Sequence, residues 1–225
     1  MENTYFENNK VYIAGEVDSE LTFSHMIYGE RFYLFRLKVP RLSENFDLIN
    51  ITISERFFPY LHPGLGDMVE IHGQFRSYNN FSETGSRLIL TVFVKSIDYI
   101  TDAENLQNPN RIFLNGFICK QPVYRTTPFK REIADILLAV NRSYNKSDYI
   151  PCIAWGRNAK FAESLNVGDN LKIRGRIQSR EYQKKIGEDE FETKTAYEVS
   201  VSKLEPDLGI DCINDDDFDA DDDDF

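Results

Sequence analysis

Basic and aromatic side chains are interleaved along two stretches of the second half of the chain, residues 142–157 and 171–182. Planar rings can stack on unpaired bases while guanidinium and ammonium groups contact phosphates, so this mixture is typical of surfaces that bind single-stranded nucleic acid. The candidate aromatic residues are Tyr144, Tyr149, Trp155 and Tyr182, and the candidate cations are Arg142, Arg157, Lys172, Arg174, Arg176 and Arg180.

The second of these stretches has the alternation of a β-strand. Residues 171–174 place Lys172 and Arg174 on one face, away from Leu171 and Ile173. A half-buried strand with a solvated charged face is the alternative interpretation. The density of cations and the nearby rings make nucleic-acid binding an equal candidate, and both interpretations stay open on these residues alone.

Catalytic and metal-binding patterns are absent from the sequence. It contains no GxGxxG, GxxxxGK[ST], HExxH or GxSxG motif. His25, His62 and His72 have no second ligand at metal-binding spacing and are interpreted as surface or loop residues. The Asp-rich run 215–224 lacks the Gly and Glu of a calcium loop. We therefore expect a protein that is not an enzyme and needs no metal or cofactor.

Charge is distributed unevenly along the chain. The 11 carboxylates that follow Lys203 account for the whole net charge of −11, so residues 1–204 are neutral. Within that neutral body, residues 1–105 carry a net charge of −6 and residues 106–204 a net charge of +6. This asymmetry predicts that a polyanion is attracted by the middle block and repelled by both ends.

Length and composition indicate a soluble protein with hydrophobic cores. The 225 residues predict one or two domains, and 41% hydrophobic residues are enough to bury. The three cysteines form no CxxC pair, which favours reduced thiols over a disulfide framework. The first residues have no signal-peptide pattern and no apolar run is long enough to span a membrane. A cytoplasmic location is the corresponding expectation.

The chain repeats itself at a spacing of about 101 residues. Four short segments recur in the same order: 11–15 with 112–116, 37–41 with 138–142, 48–53 with 149–154, and 66–73 with 168–175. Four matches in one order indicate two copies of one domain. We place the joint between the copies at residues 101–110.

Each copy has the pattern of a small β-barrel. The second copy predicts strands over 111–119, 133–142, 149–154, 170–180 and 194–204, with one short helix around Ala159–Leu165. This order is that of a five-stranded Greek-key barrel, the OB-fold. In the first copy the helix position, 55–59, is short and broken by Pro59. The sequence thus predicts an all-β protein with two tandem OB-folds over 1–100 and 111–205, a linker over 101–110, and a disordered acidic tail over 206–225.

The sequence blocks of the second copy resemble the bacterial single-stranded DNA-binding protein family. The resemblance covers nearly all of residues 110–205 and rests on segments 110–116, 138–144, 148–156, 159–165 and 167–182. It implies an OB-fold and sequence-tolerant binding of single-stranded DNA in replication, recombination and repair. It also implies that Tyr144, Tyr149, Trp155 and Tyr182 stack on bases. Four OB domains per working unit would make this two-domain chain a homodimer.

Two features depart from that family. Its members typically have one OB domain and a long linker before the tail, whereas about ten residues precede the acidic run here. Family tails typically end in Asp-Asp-Asp-Ile-Pro-Phe, and this chain ends in Asp221, Asp222, Asp223, Asp224 and Phe225. The resemblance implies that this tail recruits replication and repair proteins.

The first copy lacks the aromatic and basic residues at the matching positions. Leu48 and Ser54 stand opposite Tyr149 and Trp155, and Glu70 and His72 stand opposite Lys172 and Arg174. Its own candidates cluster at one hairpin: Arg76, Tyr78, Phe81 and Arg87. We therefore expect weak DNA binding at most, and a structural or dimer-forming role for this copy. Two other functions stay open for the whole chain, an OB-fold scaffold or replication-restart accessory that binds proteins, and an RNA-binding chaperone.

Overall fold

Eleven β-strands and one α-helix make up most of the described part of the chain. A computed structural model describes residues 7–41, 43, 45–82, 85–101, 106–185, 187 and 190–207, and their side chains outside 79–87. The first half contains β1 (Asn9–Val17), β2 (Thr22–Ile27), β3 (Glu30–Pro40), β4 (Phe46–Ser54), β5 (Met68–Ser82) and β6 (Gly85–Tyr99). The second half contains β7 (Asn110–Thr126), β8 (Glu132–Arg142), β9 (Lys146–Trp155), α1 (Gly156–Glu163), β10 (Asn170–Lys185) and β11 (Phe191–Pro206).

Each half closes on itself as a barrel. The first barrel runs β1–β3–β4–β6–β5 and returns to β1, and the second runs β7–β8–β9–β11–β10 and returns to β7. The β4–β6 and β9–β11 pairs are parallel and the other pairs are antiparallel. Alternate residues of the strands other than β2 fill the core, as the burial of Ile150, Cys152 and Ala154 on β9 illustrates. The prediction of two tandem OB-folds is confirmed.

The first barrel requires one correction to the prediction of five strands and one short helix in each domain. It has six strands, because β1 ends at Val17 and β2 begins at Thr22, and both pair with β3. The second barrel covers the same stretch with the single long strand β7. In place of α1 the first barrel has a single 3₁₀ turn, Glu55–Phe57, just before Pro59. Proline restricts the backbone there and cannot donate a helical hydrogen bond.

The helix of the second barrel packs as its sequence pattern indicates. Ala159 and Ala162 are buried, and Leu165 is buried just after the helix has ended at Glu163. Gly168 then turns the chain into β10 with a φ of +97°, a conformation that strongly favours glycine.

Glycines of the repeated segments mark the points where strands cross too closely for a side chain. A Cβ added to Gly15 would lie 2.2 Å from the carbonyl oxygen of Lys38. The matching Gly116 would place a Cβ 2.6 Å from the carbonyl oxygen of Ala139. Both glycines are therefore required by barrel closure, which explains why the same segment recurs in both copies.

The two barrels are joined by an antiparallel pairing of β1 with β7. Val11 lies opposite Ile112, and these residues occupy the same position of the repeat. Asn9 lies opposite Leu114 and Ile13 opposite Asn110, so the pairing continues evenly on both sides of that centre. The barrels are consequently related by an approximate twofold axis through the Val11–Ile112 pair.

A buried aspartate of the first domain anchors a strand of the second. Asp47 at the start of β4 is fully buried and accepts a hydrogen bond from the backbone N–H of Ser179 on β10 at 2.7 Å. Arg41 binds the same carboxylate with two hydrogen bonds of 2.5 and 2.8 Å, and Arg176 adds a third at 3.1 Å. The Ser179 hydroxyl accepts from the N–H of Leu48 at 3.0 Å. The middle of the β10–β11 hairpin is thus held against the first barrel.

The matching aspartate of the second domain makes the reciprocal contact with fewer partners. Asp148 is fully buried and accepts from the N–H of Ser77 on β5 at 2.7 Å and from Arg142 at 3.3 Å, both on Oδ1. Its Oδ2 has no hydrogen-bond partner among the described residues. Burial raises the pKa of the Asp148 carboxyl, and the Ser77 N–H, Arg142 and Arg76 oppose that rise.

These two aspartates allow a matched test of how the domains are held together. We expect Asp47→Asn to lower the free energy of unfolding by about 2–3 kcal/mol, because two half-buried arginines lose their shared counter-ion. Asp148→Asn should cost about 1 kcal/mol or less. Arg142 loses its counter-ion, but burial already disfavours the ionised carboxyl, and the Ser77 N–H can still bind Oδ1. Urea denaturation of both variants measures the difference.

The contribution of the Asp148 carboxyl to the free energy of unfolding should depend on pH. Because folding raises the pKa of this carboxyl, its contribution to stability is present at low pH and is lost as the pH rises through that pKa. The Asp148→Asn variant should therefore gain stability relative to the wild type over that rise. A larger loss for Asp148→Asn than for Asp47→Asn at neutral pH would contradict this account.

Candidate nucleic-acid interface

One face of β9 presents two of the predicted aromatic residues to solvent. Tyr149 and Trp155 share this face with Pro151 and Ile153, while Asp148 and Ala154 are buried on the other side of the strand. Tyr149 is 48% exposed and Trp155 is 39% exposed. Strand β8 lies beside them, with Ala139 opposite Tyr149 and Ile133 opposite Trp155. The barrel therefore holds both rings on a rigid surface with part of each ring accessible.

A cavity of about 450 Å³ opens next to Trp155, beneath the tip of the β7–β8 hairpin. It is lined by Thr126, Lys130, Arg131, Glu132, Trp155 and Gly156. Hydrogen bonds between Thr127 and Arg131 close the tip, with N–H to carbonyl at 2.8 Å. Phe129 at the tip is 87% exposed. An exposed ring and two cations thus surround one side of Trp155.

Phe129, Lys130 and Arg131 are candidate binding residues that were not predicted from the sequence. The available signal was the combination of Pro128 with one aromatic and two basic residues at a turn between two strands. Loops at the open end of an OB barrel are common positions for such binding residues.

Tyr144 and its neighbours extend the surface beyond the other end of β9. Tyr144 is 94% exposed in the 3₁₀ turn Ser143–Asn145, where it adopts a φ of +63°. A non-glycine residue in this left-handed region is uncommon and presents its side chain away from the barrel. Arg142 is partly held by the Asp148 carboxylate. Arg157, in the first turn of α1, is exposed.

The candidates on the outer part of β10 lie against the first domain rather than beside β9. Arg176 is hydrogen-bonded to Asp47, and burial lowers the pKa of its guanidinium while Asp47 opposes that effect. Arg180 lies 3.8 Å from the carboxylate of Glu198 and about 6.0 Å from the ring centre of Tyr182. Tyr197 on the paired strand donates a hydrogen bond to Asn50 of the first domain. This hairpin therefore borders the first barrel's face.

Lys172 and Arg174 lie on a third surface. As predicted, they point away from the buried Leu171 and Ile173. Lys172 forms an ion pair with Asp207 at 3.2 Å, and Arg174 lies about 5.9 Å from the ring centre of Phe113 on β7. Since β7 also pairs with β1, this is the outer face of the sheet that joins the domains. The structure does not group these two cations with Tyr149 and Trp155.

Several further predictions can be compared with the described part of the chain. Within those residues, no group of three or more His, Cys, Asp or Glu side chains is arranged to hold a metal ion. None of the helices seen there has the length and apolar character needed to cross a bilayer. The predicted tail residues Asp221, Asp222, Asp223, Asp224 and Phe225 lie outside the described residues.

Sequence comparison links the second domain to known proteins. The model of the single-strand binding protein family matches residues 109–207. The single-stranded DNA-binding protein A of Bacillus subtilis is 36% identical over 107 residues, which cover 44% of this chain and 62% of that protein. Single-stranded DNA-binding protein 1 of Staphylococcus aureus strain COL is 36% identical over 104 residues, or 43% of this chain and 62% of that protein. The chain thus spans about 62% of the length of these curated relatives.

Structural comparison extends the likeness to both barrels. The crystal structure of the wild-type single-stranded DNA binding protein from Thermus aquaticus superimposes with a TM-score of 0.63. It is 20% identical and the match covers 88% of this chain and 92% of that one, so the two share a fold over both domains. The resemblance found in residues 110–205 is confirmed, because residues 109–207 match the model of the single-strand binding protein family.

Proposed function

We propose that this chain binds single-stranded DNA with little sequence preference, in DNA replication, recombination and repair, and performs no catalysis. The observation that carries the proposal is the pair of half-exposed rings, Tyr149 and Trp155, on one rigid strand face of a family domain. Stacking works on every base because every base has a π-face, which accounts for the lack of sequence preference.

Cations around these rings supply the second part of the binding energy. Lys130, Arg131 and Arg157 lie at the Trp155 end of the strand, and Arg142 lies at the Tyr149 end. Contacts to phosphates release counter-ions, so the affinity should fall as salt rises. A single strand of DNA can therefore lie along β9, with its bases stacked on the rings and its phosphates bound by the flanking cations.

Trp155 is the single tryptophan of the chain and reports on its own site. We expect oligo(dT) to quench its fluorescence. Trp155→Ala should weaken binding by about 1–3 kcal/mol, measured by the anisotropy of a labelled oligonucleotide, with little change in melting temperature. Tyr60→Ala is the matched control, because Tyr60 is 91% exposed on the first domain and away from this face.

The same titration separates the proposal from its two rivals. Salt-dependent binding of poly(dT), stronger than binding of duplex DNA and of RNA, supports the proposed function. Equal or tighter binding of RNA would favour the RNA chaperone. Weak binding of all three nucleic acids would favour an OB-fold scaffold or replication-restart accessory whose main ligands are proteins.

We infer a second role for the acidic tail, which is the recruitment of replication and repair proteins. Phe225 places an apolar ring beside a run of Asp carboxylates, a combination that a small basic-rimmed pocket can bind. Deleting residues 215–225 should tighten DNA binding at low salt, with a gain that shrinks as salt rises, because the Asp run competes with DNA for cations.

Deleting Phe225 alone should leave DNA affinity unchanged and abolish partner binding in pull-down experiments. Partner binding that persists without Phe225 and is lost on neutralising the Asp residues would contradict this role.

We further propose that two chains associate to give four OB domains. The outer face of the sheet that joins the domains carries two half-buried rings, Tyr12 and Phe113, with Arg111 over the Tyr12 ring at 4.7 Å. Sedimentation analysis should give twice the mass of one chain, and Phe113→Glu should shift that mass toward a single chain. A variant chain that still sediments as a dimer would place the contact on another surface.

A further inference from the structure

Four cations meet where the face of the first domain borders the second. Arg56, Arg76 and Lys95 belong to the first domain and Arg142 to the second. We name these four residues the boundary cluster. Partial burial, followed by repulsion from Arg76, Arg56 and Arg142, lowers the pKa of Lys95. The positive charges are therefore close enough to destabilise one another.

Arg76 has an environment that is costly for a cation without a counter-ion. Its guanidinium lies over the ring of Phe93 at 3.9 Å, and Nη2 donates to Gln74 Oε1 at 2.9 Å. Its Nε is buried without a hydrogen-bond partner among the described residues. Burial and the repulsion of Arg142 lower the pKa of Arg76 to about 10, against the attraction of Asp148.

The cluster has more cations around its aspartate than its counterpart in the other domain has. The matching hairpin of the second domain carries Arg176, which donates directly to the fully buried Asp47. In the described part of the chain, none of Arg56, Arg76 and Lys95 forms an ion pair. Asp148 is the carboxylate that acts on the cluster, and it already accepts from Arg142. Four cations with one carboxylate leave a local charge of about +3.

The cluster adjoins the stacking face of the second domain. Ser77, the residue after Arg76, accepts a hydrogen bond from the N–H of Tyr149 at 2.7 Å. Arg142 belongs to the cluster and lies on the strand end that leads into the Tyr144 turn. A strand of DNA that leaves Tyr149 in this direction reaches Arg142 and Arg76 next.

We propose that the boundary cluster binds backbone phosphates of single-stranded DNA and so continues the path from the second domain onto the first. This inference rests on the proposed function of the second domain. A polyanion would supply the missing counter-charge. Arg76 and Arg142 are already held by Phe93 and Asp148, so little ordering of these two side chains opposes binding. The acidic tail of the chain is the competing polyanion.

The first domain contributes charge here rather than base stacking. Leu48 and Ser54 occupy the positions of Tyr149 and Trp155, and the Phe93 ring is covered by Arg76. The expectation that this domain has at most a weak role in binding rested on the positions matched by the repeat. Arg76 on β5 was already a hairpin candidate. Arg56 on the Glu55–Phe57 turn and Lys95 on β6 are additional positions of the first domain, and Arg142 lies on β8 of the second.

The test uses the full chain and two substitutions, Arg76→Met and Lys95→Met, singly and together. Methionine keeps apolar packing over Phe93, and Lys95 is exposed, so Lys95→Met remains informative if Arg76→Met fails to fold. Arg36→Met is the matched control, since Arg36 is exposed on the same domain and pairs with Asp18 at 3.2 Å. Melting temperatures check the fold of each variant.

Salt dependence is the decisive measurement. With an oligo(dT) long enough for two domains, about 30 nucleotides, each lost phosphate contact should reduce the slope of log affinity against log salt by about 0.7. The double variant should therefore bind several-fold more weakly at low salt, and the Arg36→Met control should bind like the wild type. With an oligo(dT) of about 8 nucleotides, which one domain can cover, all variants should bind alike.

The outcomes distinguish this inference from the proposed function. If the wild type binds oligo(dT) and quenches Trp155 but the double variant keeps the wild-type slope, the boundary cluster does not bind DNA. If the wild type fails to bind, the proposed function itself is wrong. If the double variant binds DNA more tightly than the wild type, and the gain disappears when residues 215–225 are deleted from both, the cluster holds the acidic tail and the inference is overturned.

Discussion

The antiparallel pairing of β1 with β7 determines the arrangement of the rest of the molecule. Because equivalent residues, Val11 and Ile112, lie opposite each other, the two barrels are related by an approximate twofold axis. That relation brings the β5–β6 hairpin of the first barrel to β9 of the second, and the β10–β11 hairpin to β4. A different register would shift both hairpins away from the buried aspartates that hold them. The two aspartate contacts therefore depend on the register of the β1–β7 pair.

Approximate symmetry of the backbone allows the two faces to differ in chemistry. At one crossing Asp47 is satisfied by Arg41, Arg176 and the Ser179 N–H. At the other, Asp148 has fewer partners and the nearby cations are in excess. A fully paired carboxylate at a domain boundary contributes to stability, whereas uncompensated cations cost stability and are retained at sites where an anion supplies the balance. The same fold position thus supports assembly in one half and favours ligand binding in the other.

The secondary structure of most of the second domain could be predicted from the sequence. The alternation of apolar and polar residues, the β-branched residues and the turn residues are all patterns of neighbouring positions. The strands, the helix around Ala159 and the outward direction of Lys172 and Arg174 follow from such patterns. The grouping of the candidate residues did not follow, since it depends on contacts between residues on different strands that are far apart in the sequence. Arg176 meets Asp47 across the domain boundary, and Lys172 and Arg174 lie on the joining sheet. No periodicity within either strand carries that information.

Residues at matching positions of the two copies also differ in function because binding depends on contacts between distant residues. Matching positions of the repeat share backbone geometry, as the close contacts of Gly15 and Gly116 illustrate, but a binding surface depends on which side chains converge in space. Phe93 and Arg76 form their contact across the β5–β6 pair, whereas the matching positions in the second domain are Ser200 and Gln178. The aromatic and basic residues of the two domains therefore lie at different points of the same barrel face. A duplicated barrel keeps the residues that its closure requires, because a change there would break the fold. Its surface residues are free to change.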